Sequence, residues 1–377
     1  MADLPETMRK LTSEVTSDGV IELRLADVPV PTPRAGEVLI RVEAAPINPS
    51  DLALLLSVAD VTQAKSAGTD EHPVVTMPLP PAAMGMLAGR IGQALDVGNE
   101  GAGTVVAAGD SDGHGLVGRR VAAAGGAMYA DYQVVPVALC MPLPDGVSAR
   151  EGASSFVNPM TALAMTEVMR RDGAKALVHT AAASNLGRML QRICAADGIP
   201  LINVVRKPEQ QAILKDIGAD YALNSQDADF MKQLIAACSE TQATLAFDAV
   251  GGGALAGQLL TAMEAAAAAR MTSYSRYGSD TYKHVYIYGR LDLSPTVLPP
   301  SAGMSWGVGG FLLPQFLAGA GNDVRMRMAG RVMAELTTTF ASSYTDEISL
   351  ADTLDPDIMA KYNARRTGEK YLIDLTR

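Results

Sequence analysis

The chain has 377 residues, 48% of them hydrophobic and 19% charged, with a formal net charge of −10. That length exceeds what a single core usually fills, so two domains are expected, and the composition is that of an ordinary globular protein rather than a disordered one. The acidic balance argues against a nucleic-acid or anionic-membrane surface, since both need clustered Lys and Arg. Cys140, Cys194 and Cys238 lie far apart without a C-x-x-C spacing, so no zinc knuckle or dithiol motif is proposed and a reducing cytoplasm is expected. Positions 1–10 are charged and lack a long apolar run, so no secretory signal is expected. The alanine run at 265–269 is too short to span a bilayer.

From the start to about Phe156, short alternating stretches such as Glu37-Val-Leu-Ile-Arg-Val-Glu43 and Gly103-Thr-Val-Val-Ala-Ala-Gly109 are punctuated by Gly and Pro. Alternation bounded by turn residues predicts half-buried antiparallel strands, here a small barrel. Residues 57–95, with Met77-Pro-Leu-Pro-Pro81 at their centre, break the rhythm and are expected to be an insertion carrying a helix or two. From 158 to 289 apolar strands alternate with helical stretches: strands at 176–180, 200–205, 221–224, 243–248 and 285–288, with helices at 185–196 and 208–217. This predicts a doubly wound parallel sheet covered on both faces. Residues 290–377 open on a Gly- and Pro-rich lead-in holding the lone Trp306, and end in a strand at 370–374.

The loop after the first parallel strand reads Ala181-Ala-Ala-Ser-Asn-Leu-Gly187. Of G-x-G-x-x-G only Gly187 survives, with Ala182 and Ser184 in the other places. Between a strand and a helix, such a loop offers N–H groups and a helix dipole to a pyrophosphate. Ala183, Ser184, Asn185, Leu186 and Gly187 are therefore the candidate phosphate contacts. Taken alone, a loop so poor in glycine also fits a plain strand–helix connection. Where NAD enzymes carry an acid for the ribose hydroxyl, this chain has Arg206 followed by Lys207. The pair is either a grip on the 2′-phosphate of NADPH or a solvated strand end.

Ile40-Arg-Val-Glu-Ala-Ala-Pro-Ile-Asn-Pro-Ser-Asp51, Gly98-Asn-Glu-Gly-Ala-Gly-Thr-Val-Val106, Gly118-Arg-Arg-Val121, Leu143-Pro-Asp-Gly-Val-Ser148, Pro159-Met-Thr-Ala162, Val178-His-Thr-Ala-Ala-Ala183, Ile217-Gly-Ala-Asp220, Phe247-Asp-Ala-Val-Gly-Gly252 and Thr367-Gly-Glu-Lys370 follow in order. Together they resemble the medium-chain dehydrogenase/reductase superfamily, in its zinc-independent NADPH:quinone oxidoreductase-like branch. The resemblance implies an α/β protein. A GroES-like β-barrel domain would span 1–157 and 290–377, a Rossmann domain 158–289, and the active site would lie between them. It further implies hydride transfer from NADPH to a small quinone or conjugated enone. A 2-enoyl-thioester reductase is an alternative, although residues 52–59 lack the tyrosine expected there. A non-catalytic NADPH-binding protein is another. The resemblance also implies a homodimer paired through the strand at 285–288, while cysteine usage, charge and the lack of a long apolar run set the expectation of a cytoplasmic protein with no membrane or nucleic-acid partner.

Asn48 and Asn99 stand where zinc-dependent relatives carry Cys and His ligands, and an amide is a poor zinc ligand, so no metal is expected. Carried over residue by residue, Asn48, Ser50 and Asp51 face nicotinamide and substrate, with Asn48 as donor to the acceptor oxygen or simply a turn residue. Thr161 and Gly289 fall near the nicotinamide, Val250 and Gly251 beside the adenosine, and Lys370 either at the cofactor or idle on the surface. Tyr129 and Tyr132 are proton-donor candidates or packing residues. Glu100 and His179 read as structural.

Overall fold

The computed structural model describes residues 4–377; residues 1–3, where the stretch read for a secretory signal begins, lie outside them. Two compact units form, one from the chain through Val157 together with Arg331–Arg377, the other from Asn158–Gly330.

The first unit is built from strands whose side chains alternate between core and solvent. Strands β1 (Thr7–Val15) and β2 (Val20–Pro29) form a hairpin. Leu11, Ser13 and Val15 of β1 and Ile21, Leu23 and Leu25 of β2 point inward, as a period of two requires. Strand β3 (Glu37–Ile47) leads into the short helix α1 (Pro49–Leu55). The insertion differs from its expectation. It holds a hairpin, β4 (Lys65–Gly68) with β5 (Pro73–Pro78), and β5 adds to the sheet beside β2. Val74, Val75 and Met77 are buried, so apolar burial recruits the segment as a strand despite its prolines. Its helical content is only single turns at 61–63, 81–83, 84–87 and 88–90. The strands β6 (Leu95–Asp96), β7 (Gly101–Ala108), β8 (Arg120–Ala123), β9 (Tyr132–Pro136) and β10 (Cys140–Pro142) complete the N-terminal part.

In the second unit, β11 (Leu177–Thr180), β12 (Leu201–Val205), β13 (Tyr221–Asn224), β14 (Leu245–Asp248) and β16 (Lys283–Ile287) form a parallel sheet. β15 (Gly251–Gly253) pairs instead with β17 (Asp292–Thr296). β18 (Trp306–Gly310) runs parallel to β16, giving the order β13-β12-β11-β14-β16-β18. This doubly wound order reverses direction between β11 and β14, where such sheets bind ligands at their carboxyl ends. Val178, Ile202, Val204, Ala246 and Val285 pack against Leu234, Leu259, Leu260 and Met263 of the covering helices. Residues 290–330 thus join the second unit rather than the first, because β18 finds its partner in β16. The strand at 285–288 is for the same reason not the sheet edge; β18 is.

The chain then returns to the first unit. β19 (Asp346–Ile348) pairs with β20 (Tyr371–Asp374), which lies antiparallel to β3. Among the described residues no helix is long and apolar enough to cross a membrane.

Candidate active site

In the first unit, five polar residues from two stretches of the chain, 48–51 and 99–100, meet at the start of α1. Pro49 opens that helix, where its missing N–H costs nothing, and Asp51 at the third position reaches back to the N–H of Asn48 at 2.8 Å. The other Asp51 oxygen accepts the N–H of Asn99, also at 2.8 Å, so one carboxylate splints two loops. Asn48 Nδ2 donates to Glu100 Oε1 at 2.8 Å, and Glu100 Oε2 accepts the N–H groups of Phe156 and Val157 at 2.8 and 2.9 Å. Asn99 Nδ2 donates to the hydroxyl of exposed Ser50 at 3.1 Å. Asn48, Asp51 and Glu100 are 1–2% exposed. Burial pushes the Asp51 carboxyl up to about 7, against its two backbone donors, and raises Glu100 as well. Lys370 is buried rather than on the surface, and its charge opposes both rises. Its ammonium also stands 5.8 Å from the centre of the Tyr344 ring.

Tyr129 is fully buried and donates to the carbonyl of Pro46 at 3.0 Å, while burial raises its phenol well above the usual range. It is a packing residue. Tyr132 lies half-buried in β9. Among the described residues no three His, Cys, Asp or Glu side chains stand so as to hold a metal ion.

In the second unit, the remaining candidates other than Thr161 lie at or just past the carboxyl ends of β11, β12, β14 and β16. Ala181 adopts φ +49, an uncommon left-handed turn for alanine that does the work expected of a glycine. Ser184 caps the helix Asn185–Asp197, its hydroxyl oxygen accepting the Gly187 N–H at 3.1 Å, so its own hydrogen remains to donate. A Cβ on Gly187 would lie 2.1 Å from the carbonyl oxygen of Ala182, so no other residue lets this helix start so close to the loop. Ala183 and Leu186 are buried, and Asn185 is half-buried at the helix start. Arg206 and Lys207 are exposed just past β12.

The turn after β14 is pinned by Asp248, which accepts the hydroxyl of Thr180 at 2.6 Å and the N–H groups of Val250 and Gly251 at 2.9 and 3.0 Å. Those two N–H groups are therefore committed to the protein. A Cβ on Gly289 would meet the carbonyl oxygen of Ala249 at 2.5 Å, which keeps this strand end bare. Thr161 is buried on the helix Val157–Asp172. His179 is fully buried in β11; its Nε2 lies 2.7 Å from the Tyr288 hydroxyl, and burial lowers its pKa to about 3.

The alcohol dehydrogenase GroES-like domain matches residues 34–145, and the family described as zinc-binding dehydrogenase matches residues 186–280. The solved structure of a candidate NADPH:quinone reductase from Mesorhizobium loti has a TM-score of 0.74 at 28% identity, covering 99% of both chains. The chain belongs to the medium-chain dehydrogenase/reductase superfamily, in its quinone oxidoreductase-like branch. Prostaglandin reductase-3 from Mus musculus is 29% identical over 226 residues, 59% of this chain and 52% of that protein. The chain thus spans about half the length of that curated relative. The mitochondrial enoyl-[acyl-carrier-protein] reductase of Xenopus tropicalis is 27% identical over 305 residues, 78% of this chain and 73% of its own.

Within this superfamily fold, Asn48, Ser50 and Asp51 share one hydrogen-bonded cluster with Asn99 and Glu100. Sequence reasoning did not see the tie from Glu100 to Asn48, or Thr180 and Asp248 as the pins of the turn after β14. The Glu100 of Gly98-Asn-Glu-Gly101 was visible as a motif residue, but its partner lies 52 positions away.

Proposed function

We propose that this chain is a cytoplasmic, NADPH-dependent oxidoreductase that reduces a quinone or conjugated enone without a metal ion. The observation that carries this reading is the donor set at Asn48 and Asn99. Both are neutral amides already engaged in hydrogen bonds, to Glu100 and Ser50, where a zinc site needs thiolate or imidazole. A conjugated acceptor spreads the charge of the incoming hydride over its own π-system, so it needs a hydrogen-bond donor more than a Lewis acid. The similar proteins named for NADPH:quinone, prostaglandin and enoyl reduction support the class.

NADPH, when bound, supplies the hydride. The capped helix at Ser184–Gly187 fits its pyrophosphate, with Ala183 permitting close approach and the Ser184 hydroxyl donating. Arg206, assisted by Lys207, holds the 2′-phosphate. Val250 and Gly251 line the adenosine side, while Thr161 and the bare strand end at Gly289 flank the nicotinamide. Asn48 donates to the acceptor oxygen as negative charge develops there, and Asp51 holds the loop that carries Asn48 and Ser50. Lys370 balances the buried carboxylates rather than touching the cofactor. A homodimer belongs to the same reading, with β18 as the pairing edge.

The test is a panel of quinones, enones, crotonyl thioesters and simple alcohols under matched conditions. Conjugated acceptors should turn over and alcohols should not; turnover of alcohols alone would refute the proposal. Preference for the thioester would identify an enoyl-thioester reductase, and silence on all of them a non-catalytic NADPH-binding protein. Asn48→Ala should lower turnover by roughly 10²–10³, as removal of an oxyanion donor does, while NADPH affinity stays nearly unchanged. Purified protein should hold far less than one equivalent of zinc by elemental analysis, and chelators should leave its activity intact.

A further inference from the structure

Glu100 lies immediately before β7 and is 1% exposed. A carboxylate in such a place is unfavourable unless its lone pairs are filled. Three donors fill them: the N–H groups of Phe156 and Val157 on Oε2, and the Asn48 amide on Oε1. Burial pushes this carboxyl up, while Lys370 and the three N–H donors favour its charged form.

The geometry of Oε1 has a chemical consequence for its neighbour. An asparagine amide can turn over, exchanging its oxygen and nitrogen. An ionised carboxylate only accepts, so the amide that faces it must present its NH2 edge. We propose that Glu100 is a positioning residue: it fixes which way the Asn48 amide points, and so aims that amide at the acceptor oxygen. The inference rests on Asn48 being the donor, as proposed above. A residue needed only to anchor Phe156 and Val157 would be served equally by glutamine, whose carbonyl accepts both N–H groups. Glutamine, however, would turn its own NH2 toward Asn48, which could answer only with its oxygen. The Asn48 amide would then point the wrong way while the anchor stayed intact.

A double-mutant cycle of Glu100→Gln with Asn48→Ala tests this in the full chain. Glu100→Gln should lower kcat at least ~tenfold, with the NADPH Kd and the thermal midpoint nearly unchanged. Made on top of Asn48→Ala, it should change kcat by less than about twofold, because the group it acts through is gone. Equal losses in both backgrounds, or no loss where Asn48 is present, would overturn the proposal. Should Glu100→Gln fail to fold, Glu100→Asp enters the same cycle, its shorter carboxylate unable to reach both Asn48 and the N–H groups of Phe156 and Val157. Failure of the Asn48 role itself is separately visible: Asn48→Ala alone would then leave kcat untouched, and both readings fall.

Discussion

Each unit buries a lysine near a glutamate, and the two arrangements behave oppositely. In the nucleotide-binding unit the fully buried Lys283 touches Glu264 directly, and Ser279 adds its N–H at 2.7 Å and its hydroxyl at 2.6 Å to the same carboxylate. Burial alone would push Glu264 up, but Lys283 and Ser279 outweigh it and hold the carboxyl below its ordinary value. In the barrel unit burial wins. Glu100 is raised and Asp51 reaches about 7 despite Lys370 and several backbone donors. The first arrangement is a closed ion pair that fastens residues 278–283 to the helix Leu255–Ala268. The second holds Asp51 near the balance between charged and neutral forms, a condition that gathers at functional sites.

The contrast breaks first on stability. Glu264→Ala leaves Lys283 buried without its counter-ion and should cost about 3–5 kcal/mol. Chemical denaturation followed through Trp306, the chain's single tryptophan and a member of the same unit, measures it. A loss below ~1 kcal/mol would class the pair with weak surface bridges.

The contrast sharpens on pH. Asp51 has its folded value raised from 3.8 to about 7, so the folded protein binds this proton more tightly than the unfolded chain does. Its contribution to stability is complete below 3.8 and is lost as pH rises toward about 7. Glu264 has the opposite sign: its contribution is present above its ordinary 4.5 and lost as pH falls through its lowered value. Asp51→Asn should therefore flatten the stability profile between 3.8 and about 7. Glu264→Gln should flatten it below 4.5. The slopes, rather than the overall stability, are the readout in denaturation series across pH, and slopes of the same sign would erase the distinction.

The smallest effect belongs to a charge outside either cluster. Arg206 is exposed past β12, so Arg206→Ala should leave stability alone and weaken NADPH about tenfold, or ~1.4 kcal/mol, with NADH nearly untouched. Calorimetric titration of both cofactors decides it; equal losses would make the arginine a structural residue.

Local pattern by itself determined much of this molecule. The strand Tyr221–Asn224 and the helix beginning at Pro208 stand where periodicity and an N-terminal proline place them. The loop from Ala181 to Gly187 lies between strand and helix as its setting implies. Residues within one strand or turn carry the information for such elements, because side-chain direction repeats every two or 3.6 positions. Only the tertiary structure decided the rest. β5 became a strand because β2 offered it an edge, and residues 290–330 joined the nucleotide-binding unit because β16 offered one to β18. Glu100 meets Asn48 across 52 positions, and Thr180 meets Asp248 across 68. Those pairings depend on strand register and loop closure, which local periodicity does not specify. For the same reason Lys370, read either as a cofactor contact or as an idle surface residue, is buried near two carboxylates: burial is a property of what the fold brings alongside a residue, and its neighbours in sequence do not record it.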